Sequence, residues 1–163
     1  MNAPAAFTYS KSIAPMMWML IALSGLEAMV VHFLLSFWSP VLALVLTLLT
    51  LGGIAWMVAL LRSFKRLPVL VGEEGVTMRV GTLRKVHVPV TQLAGRRVNF
   101  SDHDVKQPGV LNLALIAYPN MLVDLDPPLV GQKGPVRTIA HRLDDPAGFA
   151  AAVQALLAAP RAL

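Results

Sequence analysis

Three groups of residues in this 163-residue chain carry side chains able to do chemistry. The first is Glu27 with Ser24 one helical turn before it and His32 five residues after it, all inside a long apolar run. A carboxyl in hydrocarbon must be protonated, hydrogen-bonded or turned towards a partner helix, so this position reads as proton transfer or a specific intramembrane contact. The plain alternative is a neutral Glu27 bonded within its own helical hairpin or at an oligomer interface. His32 lies about 140° around a helix from Glu27, so the two form no same-face pair. Haem or copper ligation by His32 would need a second ligand at a fixed spacing, and the apolar runs hold none.

The second group is Asp102-His103-Asp104, with His87 and His141 elsewhere in the chain to complete a cluster. Adjacent loop residues rarely converge on one ion, and no His-x-x-x-His or His-Glu-x-x-His element is present, so a solvated loop is the expectation and no metal is assigned. Serine, histidine and acid all occur, but without the Gly-x-Ser-x-Gly elbow of hydrolases. Glycines 72 to 81 sit between strand-like runs, not before a helix, which excludes a phosphate loop or dinucleotide fingerprint. The absence of cysteine excludes disulfides, thiol catalysis, Cys-based zinc sites and iron–sulfur ligation together. No catalytic residue, metal or cofactor is therefore expected, and the chain reads as a non-enzyme.

The third group is basic: Arg62, Lys65 and Arg66, then the pairs Arg84-Lys85 and Arg96-Arg97. The net charge is +5, but a nucleic-acid binder concentrates its cations on one stripe with interleaved aromatics, and these pairs are isolated among strand-like runs. Contact with anionic lipid or a protein partner is the expectation for them, and nucleic acid is not. Near an anionic bilayer each such residue contributes about 1 kcal/mol.

The elements that carry these groups divide the chain in two. Residues 13–38 and 40–61 are apolar runs parted by Ser39-Pro40, and the second holds 22 residues without a formal charge. At about 1.5 Å per residue that run is roughly 33 Å long, against a hydrocarbon core of about 30 Å. Glu27, 12 residues past Pro15, falls about 18 Å along the first run, near the bilayer middle. The expectation is a transmembrane helical hairpin over residues 13–62, preceded by a short tail, 1–12. Lys11 precedes it, the connection is uncharged, and Arg62, Lys65 and Arg66 follow, which by the positive-inside rule puts both termini in the cytoplasm. A cleaved signal peptide fits less well, because the first apolar run is too long and no small-x-small site follows it. Ser24 with Ala28, and Ala55 with Ala59, offer small faces for close helix approach.

From residue 67 the texture changes to short β-prone runs. Residues 67–71 and 76–80 flank Gly72-Glu73-Glu74-Gly75, a hairpin signal. In 83–90 the residues Val86, Val88 and Val90 alternate with Lys85, His87 and Pro89, the period of a half-buried strand, with Pro89 marking an edge or bulge. Further runs cover 95–100, 110–118, 121–125 and 136–143, with Pro119-Asn120 as a turn and loops at 101–109 and 126–134. Seven strands in so short a stretch leave no room for crossover helices, so a mostly antiparallel sheet is expected. Asp144 or Asp145 caps a last helix with Pro146 in its first turn and Phe149, Val153, Leu156 and Leu157 on one face.

Seven strands and a closing helix, with the run Glu-Glu-Gly-Val-Thr-Met-Arg-Val-Gly-Thr-Leu-Arg-Lys-Val-His-Val-Pro-Val from Glu73, resemble the bacterial pleckstrin-homology-like (PH-like) domains that follow a two-helix membrane hairpin. The resemblance covers residues 67–159. It implies an α+β membrane protein whose small antiparallel β-barrel is closed by a C-terminal helix, anchored in a bacterial inner membrane and serving as an interaction or accessory subunit. In eukaryotic relatives lipid headgroups bind a basic loop between the first strands; here that loop carries Glu73 and Glu74, which argues against inherited phosphoinositide binding. Three functions follow as expectations: an accessory subunit binding a membrane-protein partner or a second copy of itself, an intramembrane proton-handling or cofactor component using Glu27 and His32, and an anionic-lipid sensor.

Overall fold

The computed structural model describes residues 4–97, 99–131 and 134–158. The first three residues of the expected tail, Val98 within the expected strand 95–100, residues 132–133 of the expected loop 126–134 and position 159 lie outside the described residues.

Two long apolar helices dominate the front, α1 (Ala14–Ser36) and α2 (Pro40–Arg66), of 23 and 27 residues. Both are long and apolar enough to cross a membrane. Ser39 starts α2: its backbone is extended, its side chain accepts from the Leu42 N–H at 3.4 Å, and Pro40 occupies the first turn, where a missing N–H costs nothing. Lys65 and Arg66 lie in the last turn of α2, where cations meet the carbonyl end of the helix dipole. The less exposed residues of α1 include Met17, Ile21, Ser24, Ala28, Val31 and Leu35, and those of α2 include Ala43, Thr47, Thr50, Ile54, Met57 and Leu61. Both sets step alternately by four and three, the spacing of an antiparallel knobs-into-holes seam. Ser24 and Ala28 are therefore seam residues, while Ala55 and Ala59 face outward.

Among the described residues, eight strands form two four-stranded sheets. In the first, β1 (Ala5–Phe7), β2 (Val69–Gly72), β3 (Gly75–Val80) and β4 (Arg84–Pro89) lie in that order, all antiparallel. The 72–75 hairpin forms as its glycines predict, with Gly72 opposite Gly75. The second sheet has the order β5 (Leu93–Arg97), β7 (Met121–Gly131), β8 (Gly134–His141) and β6 (Val110–Asn112). A single 3-10 turn, Val90–Gln92, carries the chain from one sheet to the other. A short helix α3 (Asp102–Val105) interrupts the 101–109 loop, and α4 (Pro146–Ala158) closes the chain. Asp145 caps α4 by accepting the Gly148 N–H at 2.8 Å.

Four expectations are corrected. Among the described residues no barrel closes, because β4 and β6 end their sheets as unpaired edges. The β6–β8 pair is parallel, not antiparallel, since the connection through residues 113–120 brings β7, not β6, into the hairpin with β8. Pro119-Asn120 consequently joins no hairpin; Asn120 instead holds Leu143 through both side-chain atoms, at 2.8 and 3.0 Å. Within 126–134, β7 runs on to Gly131 after an irregularity between Asp124 and Leu129, where Pro127 and Pro128 cannot donate to the ladder.

The core does not respect the expected division into an apolar hairpin and a separate sheet domain. Met17 of α1 and Leu60, Leu61 and Phe64 of α2 belong to the same buried cluster as Val69, Val76, Met78, Val88, Val123, Ile139, Phe149 and Val153. Only Leu67 and Pro68 separate α2 from β2. Residues expected as a free tail add β1 to the sheet, and Phe7 packs edge-on against Phe149 of α4 at 5.4 Å. The carboxylate of Asp144 accepts the Lys11 N–H at 3.1 Å, and the Thr8 carbonyl accepts the Asp144 N–H at 2.8 Å.

Candidate functional site

Within the hairpin, Glu27 is exposed on the flank of the α1 seam, with no hydrogen-bond or ionic partner among the described residues. His32 flanks the seam on the other side and is not alone. The Thr47 hydroxyl donates to the Ala43 carbonyl at 2.8 Å, so its one proton is used, and His32 Nδ1, 2.7 Å away, must donate to the Thr47 oxygen. The structure thus separates Glu27 from His32 and gives His32 a structural partner on α2.

The Asp102-His103-Asp104 cluster is spent on local structure. Ser101 and Asp104 form a reciprocal cap on α3, with the Ser101 N–H 2.7 Å from the Asp104 carboxylate, and His103 sits 3.3 Å from the Gln107 amide. The bonds from Ser101 hold the Asp104 carboxyl below its ordinary range. His87 pairs with Thr77 at 3.0 Å, and His141 is buried elsewhere. Among the described residues no three such side chains gather as metal ligands.

The basic residues fall into three places. Arg62, Lys65 and Arg66 are exposed on the last turns of α2. Arg96 and Arg97 lie on β5, an edge of the second sheet, and Arg97 is held by Asp124 through bonds of 2.7 and 2.8 Å, with Asp104 at 3.8 Å. Asp124 also accepts from the buried Thr138 hydroxyl at 2.9 Å. Asp124→Ala strands the buried Thr138 hydroxyl, leaves Arg97 to Asp104 and water, and is expected to lower stability by about 1–2 kcal/mol. Denaturant unfolding of the detergent-solubilised protein measures this, and Asp124→Asn, which can still accept from Thr138, is expected to recover part of the loss. An Asp124→Ala protein as stable as the parent would show Arg97 to be a free surface cation.

Arg84 and Lys85 lie elsewhere again. They line an open groove of about 1320 Å³ between the two sheets, bounded by Leu83 and β4 on one side, Pro108 and β6 on another, and the β7–β8 hairpin on the third. Its floor is the half-buried aliphatic set Val86, Leu111, Leu129 and Val136, packed against the core. Its cations are Arg84, Lys85 and Arg137, with His87 beside them, and no described residue lining it is acidic. Two of its three sides are sheet-edge strands, β4 and β6. The Val86/Lys85/His87 alternation and the runs over 110–118 and 136–143 are visible in local sequence, but their convergence on one groove is not.

The fold and groove define the class: an α+β chain with two long apolar helices continuous with a two-sheet domain that presents an open, cation-lined cleft. Comparison with family models, curated proteins and solved structures finds no match for this chain.

Proposed function

We propose that the chain is a membrane-anchored, non-enzymatic accessory subunit: α1 and α2 cross a bacterial inner membrane as a hairpin with both termini cytoplasmic, and the PH-like domain beyond them binds a protein partner. The observation that carries this reading is the shared core of helices and sheets. With Phe64 of α2 and Tyr9 packed at 5.9 Å and two residues between α2 and β2, the domain is fixed against the membrane end of the hairpin instead of swinging on a linker. Such a joint suits a subunit that presents one surface at a set height and angle above the bilayer. The exposed cations Arg62, Lys65 and Arg66 at the same end support the N-in, C-in orientation.

A second reading rests on the unpartnered Glu27. An intramembrane carboxyl without a partner in its own hairpin is suited either to a helix of another subunit or to proton handling. Mild-detergent purification of the full-length protein from native membranes, beside Glu27→Gln, separates them. The accessory-subunit reading expects the same stoichiometric membrane complex with both forms. Proton handling expects an intact complex that loses its activity with Glu27→Gln. Absence of any complex in both forms would overturn the accessory-subunit reading.

A further inference from the structure

We propose that the groove between β4 and β6 binds an extended, acidic segment of the partner protein by strand addition to the β4 edge. This rests on the reading of the chain as an interaction subunit and names the chemistry of what it binds.

Three features of the groove point to the same occupant. Two of its sides are open strand edges: among the described residues β4 pairs only with β3, and β6 only with β8, so outward backbone groups of β4 before Pro89 are available to another strand. β4, six residues long, carries the Lys and Pro usual on an edge strand, at Lys85 and Pro89, yet among the described residues nothing covers it along the cleft. Its floor is aliphatic and already seated on the core, through Val86, Leu111, Leu129 and Val136, which suits the inward side chains of a strand with its two-residue period. Its rim carries Arg84, Lys85 and Arg137 with no acidic partner among the described residues, so the outward side chains of the incoming strand are matched by Asp or Glu. A lipid headgroup would engage the cations but leave the floor and the strand edge unused. An extended chain of alternating acidic and aliphatic residues uses all three.

Full-length protein in discs of zwitterionic lipid is titrated with a fluorescein-labelled peptide of alternating Glu and Val, about ten residues long to match β4 and its flanks. Peptides of alternating Lys and Val, and of Glu with Gly and Ser in place of Val, are the comparisons. The Glu–Val peptide alone is expected to bind, with affinity falling as salt is raised and at least about tenfold in Arg84→Glu/Lys85→Glu. Both positions are exposed, so the fold is retained, which the unfolding midpoint verifies. Hydrogen exchange of the β4 amides is expected to slow on binding. Equal binding of all three peptides, binding without protection of β4, or loss of binding when anionic lipid replaces zwitterionic lipid would each overturn the proposal, the last by assigning Arg84 and Lys85 to the bilayer. The purified native complex separates this failure from that of the accessory-subunit reading: a complex retained by Arg84→Glu/Lys85→Glu leaves the subunit assignment standing and removes the groove from it.

Discussion

Phe64→Ala is expected to destabilise the protein by about 3–5 kcal/mol and to release the two-sheet domain from the helical hairpin. Phe64 is 1% exposed although it lies only two residues from the end of α2. One side of its ring meets Tyr9, and another closes on Gly81, where a Cβ would sit 2.7 Å from Phe64 Cδ1. Gly81 also has φ +50°, so glycine is required there by both backbone and contact. Tyr9 completes the joint: its hydroxyl donates to the Leu67 carbonyl at 3.0 Å and accepts the Gly81 N–H at 2.6 Å. Burial pushes the Tyr9 phenol up from its ordinary pKa, so it stays a neutral donor. The segment before α1, the end of α2 and the β3–β4 turn therefore meet on one ring pair. Removing the Phe64 ring leaves a cavity at a place where no other residue can collapse inward without dragging a helix. The thermal midpoint in detergent and the rate of protease cleavage at residues 67–69 read the two effects. An unchanged midpoint and an uncut joint would mean that the domain hangs from the two helices as an independent unit, and the rigid-presentation reading would fall with it.

Local physics explains which parts of this architecture are legible in the sequence. The two apolar helices, the 72–75 hairpin and α4 each carry their own signals within a few residues: an uncharged run, paired glycines, and an Asp-Pro start. β1 is three residues long, too short to show alternation, and exists because β2 offers it an edge. The parallel β6 is equally short. β7 continues through Pro127-Pro128, which propensity reads as a stop, because β8 is already paired on both sides of the irregularity. The intended barrel fails for a non-local reason: nothing in either edge strand states that β4 and β6 stand apart. The same distinction governs the side chains. Glu27 and His32 are legible as polar residues within a long apolar run, but the bond from His32 to Thr47 depends on the register of two helices. Arg84-Lys85 and Arg96-Arg97 look equivalent in sequence, yet the fold puts the first pair at an open groove and anchors Arg97 on Asp124. The groove floor comes from four strands and could not be read from any one of them.

Lowering the pH from 7.5 to 5.5 is expected to weaken the fold through His141, and His141→Gln is expected to remove that dependence. His141 is 1% exposed, stands 5.2 Å from the Tyr9 ring, and links the two sheets. The Arg142 N–H donates to its Nδ1 at 2.8 Å, so in the neutral ring Nε2 carries the proton and donates to the Arg79 carbonyl at 3.1 Å. Burial pushes the His141 pKa below its ordinary 6.5, and its two backbone bonds only partly oppose this. The neutral form is thus the one the fold selects. Stability is full above the unfolded-state value and falls as the pH drops below it, because the unfolded chain takes up a proton the folded chain resists; the decline ends at the depressed folded value. One such group gives a slope of at most about 1.4 kcal/mol per pH unit. Asp104, held below its ordinary 3.8, contributes only in stronger acid and leaves this window to His141 among the described groups with shifted values. Gln can accept from Arg142 and donate to Arg79 without titrating, so His141→Gln keeps the junction and flattens the slope. His141→Ala is expected to cost about 2–4 kcal/mol at pH 7.5, since it opens a cavity and strands the Arg142 N–H. Denaturant midpoints at the two pH values for the three proteins decide it: a slope that survives His141→Gln would place the proton elsewhere and leave His141 as packing alone.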